Sequence, residues 1–117
     1  MRRSILFNYM VEYNTKLDGI FHSLADPTRR DILRRLAPRE HTVGELAGHY
    51  RLTFAAISKH LQVLERAKLV RKRRRGREQR VELSPKGLGE ADKYLEQYRK
   101  LWEGRLNRLE VFLKNNK

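Results

Sequence analysis

The sequence predicts a mainly α fold with a small β-hairpin, and three observations carry that expectation. Between Leu17 and Leu64, apolar residues recur every three or four positions in short segments separated by turn signals. The basic run Arg71-Lys72-Arg73-Arg74-Arg75-Gly76-Arg77 is broken by one glycine and flanked by strand-like Leu69-Val70 and Val81-Glu82-Leu83. From Pro85 onward a single apolar stripe continues for about 30 residues without a stop.

In chain order, Leu17, Ile20, Phe21 and Leu24 sit at helical spacing from Thr15 to Leu24, where Asp26-Pro27 ends that helix and opens another. Asp26 suits the N-cap and Pro27 the first helical position, where a missing N–H removes no bond. The helix from Pro27 to Leu36 is expected to bury Ile32, Leu33 and Leu36, to expose Arg29, Arg30, Arg34 and Arg35, and to stop at Pro38. Thr42, with Glu45 three residues on, makes a capping box for a third helix whose inward face is Val43, Leu46, Ala47 and Tyr50. Arg51-Leu52 is the turn, and Thr53 caps the next helix. There Ile57, Leu61 and Leu64 fall within an arc of about 60°, while Ala55, Lys59, Gln62 and Arg66 point the opposite way with Ser58 beside them. Two helices joined by so tight a turn form a helix-turn-helix unit.

Gly76 supplies the freedom a hairpin turn needs, so strand, turn and strand make a wing directly after the second helix of that unit. Ser84-Pro85 then caps and opens the last helix. On it Leu88, Ala91, Leu95, Tyr98, Trp102, Leu106 and Leu109 alternate in steps of three and four, and Gly89 and Gly104 weaken the helix without ending it. The expected organisation is an N-terminal extension over 1–14, a winged helix-turn-helix domain over 15–84 and a C-terminal dimerisation helix over 85–117.

With 117 residues the chain builds one modest core. The apolar stripe of the last helix exceeds what that core covers, so the helix either folds back on its own domain or pairs with a second copy. The second arrangement keeps Tyr98, Trp102 and Phe112 out of water, and the fold is expected to be dimeric. Its interface candidates are Leu17 and Phe21 on the first helix, with Leu95, Tyr98, Trp102, Leu106 and Leu109 on the last.

A net charge of +13 favours polyanionic partners. The charge concentrates at residues 29–39 and 66–80, whereas residues 81–117 mix both signs. The absence of cysteine excludes disulfides, thiolate metal sites and thiol redox sensing. The longest apolar run is far below the roughly 20 residues that span a bilayer. At the N-terminus, Met1-Arg2-Arg3-Ser4-Ile5-Leu6-Phe7 is too short for a signal peptide and is interrupted by Asn8, Tyr9 and Glu12. A cytoplasmic protein without a membrane partner is expected, with Met10 as an alternative start to Met1 because the amphipathic pattern becomes regular only after it. No glycine-rich phosphate loop, Ser-x-x-Lys or Gly-x-Ser-x-Gly nucleophile, or paired carboxylates in an apolar setting occurs, so no enzyme is expected. Asp26 and Asp31 read as helix-cap and surface residues.

Double-stranded DNA is the polyanion these features suit. A helix entering a major groove roughly 12 Å wide needs small residues leading and hydrogen-bonding ones behind. Thr53 and Ala55 lead, and Ser58, Lys59, His60, Gln62 and Arg66 follow. Ser58 suits a base edge or phosphate, Lys59 suits guanine O6 and N7 or a phosphate, and Gln62 reads adenine or contacts backbone. His60 lies about 60° from the apolar stripe, which suits packing or a phosphate contact. Phe54 touches a thymine methyl or packs against the turn. Arg73, Arg74, Arg75 and Arg77 at the wing tip suit phosphates, with one entering a narrow minor groove. Two other readings are a nonspecific nucleic-acid-binding architectural protein, which the charge also permits, and a module whose long helix binds a partner protein.

Four motifs in order carry a family resemblance. The stretch Phe21-His22-Ser23-Leu24-Ala25-Asp26-Pro27-Thr28-Arg29-Arg30-Asp31-Ile32-Leu33 resembles the opening of the ArsR-family winged-helix repressors. Thr42-Val43-Gly44-Glu45-Leu46-Ala47, Ser58-Lys59-His60-Leu61-Gln62-Val63-Leu64 and Ala67-Lys68-Leu69-Val70 continue it. The tail, with Tyr98-Arg99-Lys100-Leu101-Trp102-Glu103 and Arg105-Leu106-Asn107-Arg108-Leu109-Glu110, is similar to a subgroup with a lengthened final helix. The match covers roughly residues 15–113. It implies a homodimeric transcriptional repressor that binds an inverted-repeat operator and releases it on a signal. The family's metal sensors open the third helix with Cys-Val-Cys or Cys-Val-Gly. Here Thr42, Val43 and Gly44 stand instead, and no histidine follows His60 to build a site on the last helix. His22, His41, His49 and His60 lack ligand spacing, so neither metal nor another cofactor is expected.

Overall fold

The computed structural model describes residues 14–116. The expected N-terminal extension and both candidate starts lie outside these residues, apart from residue 14, which is already helical. The elements are α1 (residues 14–24), α2 (Pro27–Leu36), β1 (His41–Thr42), α3 (Val43–Ala47), α4 (Phe54–Arg66), β2 (Val70–Arg75), β3 (Glu78–Leu83) and α5 (Pro85–Asn115). This is the mainly helical, winged helix-turn-helix class that the sequence predicts, with a sheet of three antiparallel strands in the order β1-β3-β2.

Three helix starts follow directly from local chemistry. The Asp26 carboxylate accepts from Arg29 N at 3.0 Å, Thr42 Oγ1 accepts from Glu45 N at 3.1 Å, and Thr53 Oγ1 accepts from Ala56 N at 3.1 Å. Each bond satisfies an N–H that has no partner inside its helix. Ser84 occupies the fourth such position at α5, but its side chain makes no capping bond. Strand β1 was not foreseen. His41 pairs with Val81 and Thr42 with Arg80, and a strand of two residues carries no readable period. The hairpin turn is Gly76-Arg77, with Gly76 at φ 66°, the left-handed backbone that suits glycine at the first central turn position.

The core joins every helix to the base of the sheet. Ile20 of α1, Ile32 and Leu36 of α2, and Val43 and Leu46 of α3 surround Ile57, Leu61 and Leu64 of α4. Leu69, Val70 and Val81 close it from the hairpin, and Ala91 from α5. Leu33, expected inside, is only half-buried. Full burial of a side chain such as Ile57 or Leu61 stabilises by about 1.5–3 kcal/mol.

The join between α4, β2 and α5 is tight. Lys68 N donates to Glu65 O and Leu69 N to Leu64 O, both at 3.0 Å, and Lys68 takes φ 60°. This pair of bonds is the Schellman motif, completed by a lysine where glycine is usual. The same turn then receives α5: Ser84 N donates to Leu69 O at 2.9 Å and Gly87 N to Lys68 O at 2.8 Å. A Cβ on Gly87 would lie 2.4 Å from Ala67 O and 2.7 Å from Lys68 O, so only glycine admits this approach. No helix among the described residues is long and apolar enough to cross a membrane.

Gly87 and Gly89 separate close approach from helix propensity. Gly87→Ala should lower stability by about 2–4 kcal/mol, because backbone rather than a flexible side chain must move. Gly89→Ala, whose Cβ meets nothing within 4 Å, should raise stability by about 0.5–1 kcal/mol. Urea unfolding of both variants at one protein concentration checks the opposite signs.

Candidate nucleic-acid interface

Helix α4 presents the face that the periodicity predicts. Ile57, Leu61 and Leu64 are at most 1 % exposed, while Thr53, Ala55, Lys59, Gln62 and Arg66 are exposed and Ser58 is half-buried. Phe54 at the leading end is 61 % exposed, so it stands in solvent rather than packing against the turn. Arg66 lies at the far end of the same helix, about 20 Å from Thr53 at 1.5 Å per residue. There it borders a cavity with α1 and α5 rather than the leading end of α4.

Two clusters set how α4 sits. In the first, Asp31 accepts from the Tyr50 hydroxyl at 2.6 Å, from Arg35 Nε at 2.9 Å and from the Arg34 guanidinium. Tyr50 lies between α3 and α4, and the Arg35 guanidinium stacks 5.6 Å from its ring centre. These bonds tie the turn to α2. The Tyr50 bond first, then Arg35 and Arg34, hold the Asp31 carboxyl down at about 2. Burial first, then Asp31, pushes the Tyr50 phenol up to about 12. Asp31, expected to be a simple surface residue, thus helps fix the helix-turn-helix angle.

In the second cluster, Arg29 reaches three groups. Its Nε donates to Ser23 O at 2.7 Å, its Nη2 to His22 O at 3.1 Å, and its Nη1 lies 3.3 Å from His60 Nδ1. The carbonyls belong to the last turn of α1, whose partial negative charge attracts a cation. Arg29 therefore links α1 to α4 and is half-buried, not exposed as the helical pattern implied. His60, a candidate for DNA contact, faces inward to Arg29 and lies 3.9 Å from Asp26. The Asp26 carboxyl is itself held below its usual range, mainly by the Arg29 backbone N–H.

The arginines of the basic segment at 29–39 are largely held by partners within the protein. Arg30 donates to Leu24 O at 2.8 Å, Arg34 and Arg35 bind Asp31, and Arg39 binds Glu45 at 3.1 Å. That last contact holds the Glu45 carboxyl below its usual range.

On the wing, charges sort by height. From the base upward, Arg71 binds Glu82 at 2.7 Å, Arg73 lies 3.3 Å from both Glu40 and Glu82, and Arg80 binds Glu40 at 3.2 Å and reaches Glu78, beside the turn, at 3.4 Å. Arg73, placed among the DNA candidates by its position in the run, is thus held by two carboxylates. Glu40 and Glu82 were missed because they are 42 residues apart in sequence and meet only when β1 and β2 flank β3. Arg74, Arg75 and Arg77 at the tip are exposed and form no ion pair with a described carboxylate. The inner half of the hairpin is anchored by Val70 and Val81, and the outer half projects into solvent.

Of the interface candidates, Leu17 is 5 % exposed and so is already buried within one protomer. The spacing that suggested a partner contact is satisfied inside the chain. Phe21 is half-buried, edge-on to Tyr94 at 5.8 Å, and Tyr94 meets Tyr98 at 5.2 Å. Leu95, Tyr98, Trp102, Leu106 and Leu109 are all exposed, as are Leu101 and Phe112. Helix α5 does not fold back. Among the described residues no three His, Asp or Glu side chains gather in a group able to hold a metal ion.

Residues 24–73 match the family described as a helix-turn-helix domain. Over 71 residues the chain is 44 % identical to HTH-type transcriptional regulator Rv2034 of Mycobacterium tuberculosis, covering 61 % of this chain and 66 % of that protein. Over 60 residues it is 35 % identical to the transcriptional repressor SdpR of Bacillus subtilis, covering 51 % and 67 %. These matches span about two thirds of each relative's length. Among solved structures, the crystal structure of an ArsR family transcriptional regulator is 33 % identical, with a TM-score of 0.72, and the match covers 77 % of this chain and 93 % of that one.

The Asp31 cluster yields a pH test. Because its folded pKa lies below the unfolded value, ionised Asp31 stabilises the fold at neutral pH. That contribution fades as pH falls from about 4 towards about 2. Asp31→Asn should cost about 1–2 kcal/mol at pH 7, and the gap from the parent protein should narrow steadily below pH 4. Urea midpoints at pH 7, 4 and 3 decide it; a gap that stays constant would contradict the assignment.

Proposed function

Since the chain belongs to the ArsR family of winged helix-turn-helix transcriptional regulators, we propose that it acts as a homodimeric repressor. It sets one α4 per protomer into successive major grooves of an inverted-repeat operator. The observation that carries this reading is the division of α4. One stripe is wholly buried, and the opposite face offers Ala55, Lys59 and Gln62 to solvent on a helix held rigidly by Arg29 and Asp31. Such a helix can enter a groove without first being ordered. Thr53, Ser58, Lys59 and Gln62 are the residues we assign to bases and adjoining phosphates, and Arg74, Arg75 and Arg77 to the backbone or minor groove. His60 and Arg73 support this surface from behind rather than touching DNA, and Arg66 lies too far along α4 to join it.

The dimer uses the exposed stripe of α5. On helical geometry Leu88, Leu95, Tyr98, Trp102, Leu106 and Leu109 fall within an arc of about 80°. Adding Leu101 and Phe112 widens it to about 140°, more than a two-stranded seam covers. Four helices, α1 and α5 of each protomer, suit that width. The repressor role rests on relatives named as repressors or regulators.

Fluorescence anisotropy at about 150 mM salt, comparing duplexes from the gene's own upstream region with scrambled ones, tests the reading. A preference of about 10³ or more with two protomers per site is expected for a specific regulator. Equal affinity for every upstream and scrambled duplex would favour the architectural alternative that the +13 charge permits. Four phosphates per protomer from Lys59, Arg74, Arg75 and Arg77 make eight per dimer, hence a log–log salt slope of about −7. The Arg74→Ala, Arg75→Ala double variant removes four of these and should flatten the slope to about −4. An unchanged slope would remove the wing from the interface.

A further inference from the structure

A cavity of about 520 Å³ opens where α1, the end of α4 and the start of α5 meet. Its size is that of a site for a small organic molecule. Ile20, Val63 and Ala67 give it an apolar floor. Lys16, Arg66, Lys68 and Lys86 stand around it, against a single described carboxylate, Glu90. Six arginines elsewhere in the described residues, Arg34, Arg35, Arg39, Arg71, Arg73 and Arg80, meet carboxylates. The four cations at the cavity form no ion pair with a described carboxylate. The N-terminus of α5, which Ser84 leaves without a side-chain cap, ends at the same place and adds its partial positive charge.

We infer that this cavity binds an organic acid with an apolar body, seating the body on Ile20, Val63 and Ala67 and its carboxylate among Lys68, Lys86 and Arg66. Four unpaired cations above an apolar floor select a ligand that carries both characters. A wholly polar anion leaves the floor wet, and a neutral hydrocarbon leaves the cations without a counter-charge. A second copy seated on the α5 stripe and on the Leu17–Phe21 face of α1 does not close the cavity, because Lys86 and Glu90 lie about 140° or more round α5 from Leu88 and Leu95, and Gly19 about 160° round α1 from Leu17 and Phe21. The site is also placed to be felt elsewhere. Lys68 is the left-handed residue that ends α4 and starts the wing strand, and its carbonyl holds Gly87 of α5. An acid drawn to Lys68 therefore acts at the one joint shared by α4, the wing and α5.

Equilibrium dialysis of the full chain with 1-naphthoate, and with 1-naphthamide as its neutral counterpart, tests the site without DNA, so its failure leaves the DNA-binding reading untouched. One naphthoate per protomer is expected, bound about tenfold tighter than the amide. Lys86→Gln should weaken the acid about two- to fivefold and leave the amide unchanged. Gly19 lines the cavity, and a Cβ there meets nothing within 4 Å. Gly19→Phe should therefore fill the space and abolish binding of both probes with an unchanged far-ultraviolet circular dichroism spectrum. Gly19→Leu serves the same purpose if the larger ring disturbs the fold. Naphthoate that binds no better than the amide, or that stays bound when Gly19 is replaced in a folded variant, would overturn the inference.

Discussion

The seating of α4 is the constraint on which the rest of the molecule depends. A reading helix is useful only if its outward face is held at one angle, and an isolated helix of this length is marginal in water. Ile57, Leu61 and Leu64 supply the apolar anchor, but a smooth stripe alone permits sliding and rolling. Polar bonds remove that freedom: Tyr50 to Asp31 fixes the turn, and Arg29 bridges the last carbonyls of α1 to His60. Burial thus fixes the depth of the helix and hydrogen bonds fix its rotation.

That requirement accounts for much of the chain's charge. A net charge of +13 suggests a surface coated in free cations. In the folded molecule the arginines of α2 and of the wing base are bonded to carbonyls and carboxylates, and hold elements together rather than waiting for a partner. The arginines left without carboxylate partners on the wing are those at its tip, Arg74, Arg75 and Arg77. The side chains free to meet a polyanion are therefore fewer than composition implies, and those of the wing lie on a hairpin whose inner half is locked by Val70 and Val81.

The same economy of contacts makes the α4–wing–α5 joint compact. Lys68 in the left-handed region and Gly87 against its carbonyl bring three elements within a few residues of one another. Helix α5 leaves that joint carrying an apolar face that Phe21 of α1 meets at Tyr94, which in turn meets Tyr98 on the same helix. Beyond Tyr94 the stripe stands exposed to Leu113, and the dimer proposed above would cover this unmet burial.

What the sequence determined by itself were features whose cause is local. Caps at Asp26, Thr42 and Thr53, the turn at Gly76, the buried stripe of α4 and the length of α5 all follow from residues a few positions apart, within reach of periodicity and capping rules. The candidate face Ala55, Lys59 and Gln62 was legible for the same reason, since the residues opposite a buried stripe must face outward. Tertiary structure alone decided the remainder. Arg29 and His60 are 31 positions apart, Glu40 and Arg80 40 apart, and whether a cation is free or bonded depends on which distant carbonyl or carboxylate the fold brings to it. Leu17 shows the converse, an apolar residue that looked available to a partner until α1 packed inward. Gly87, silent in sequence beside two other helical glycines, is required only because α5 arrives against Ala67 and Lys68. Helical spacing tells which way a side chain points, and only packing tells what it meets there.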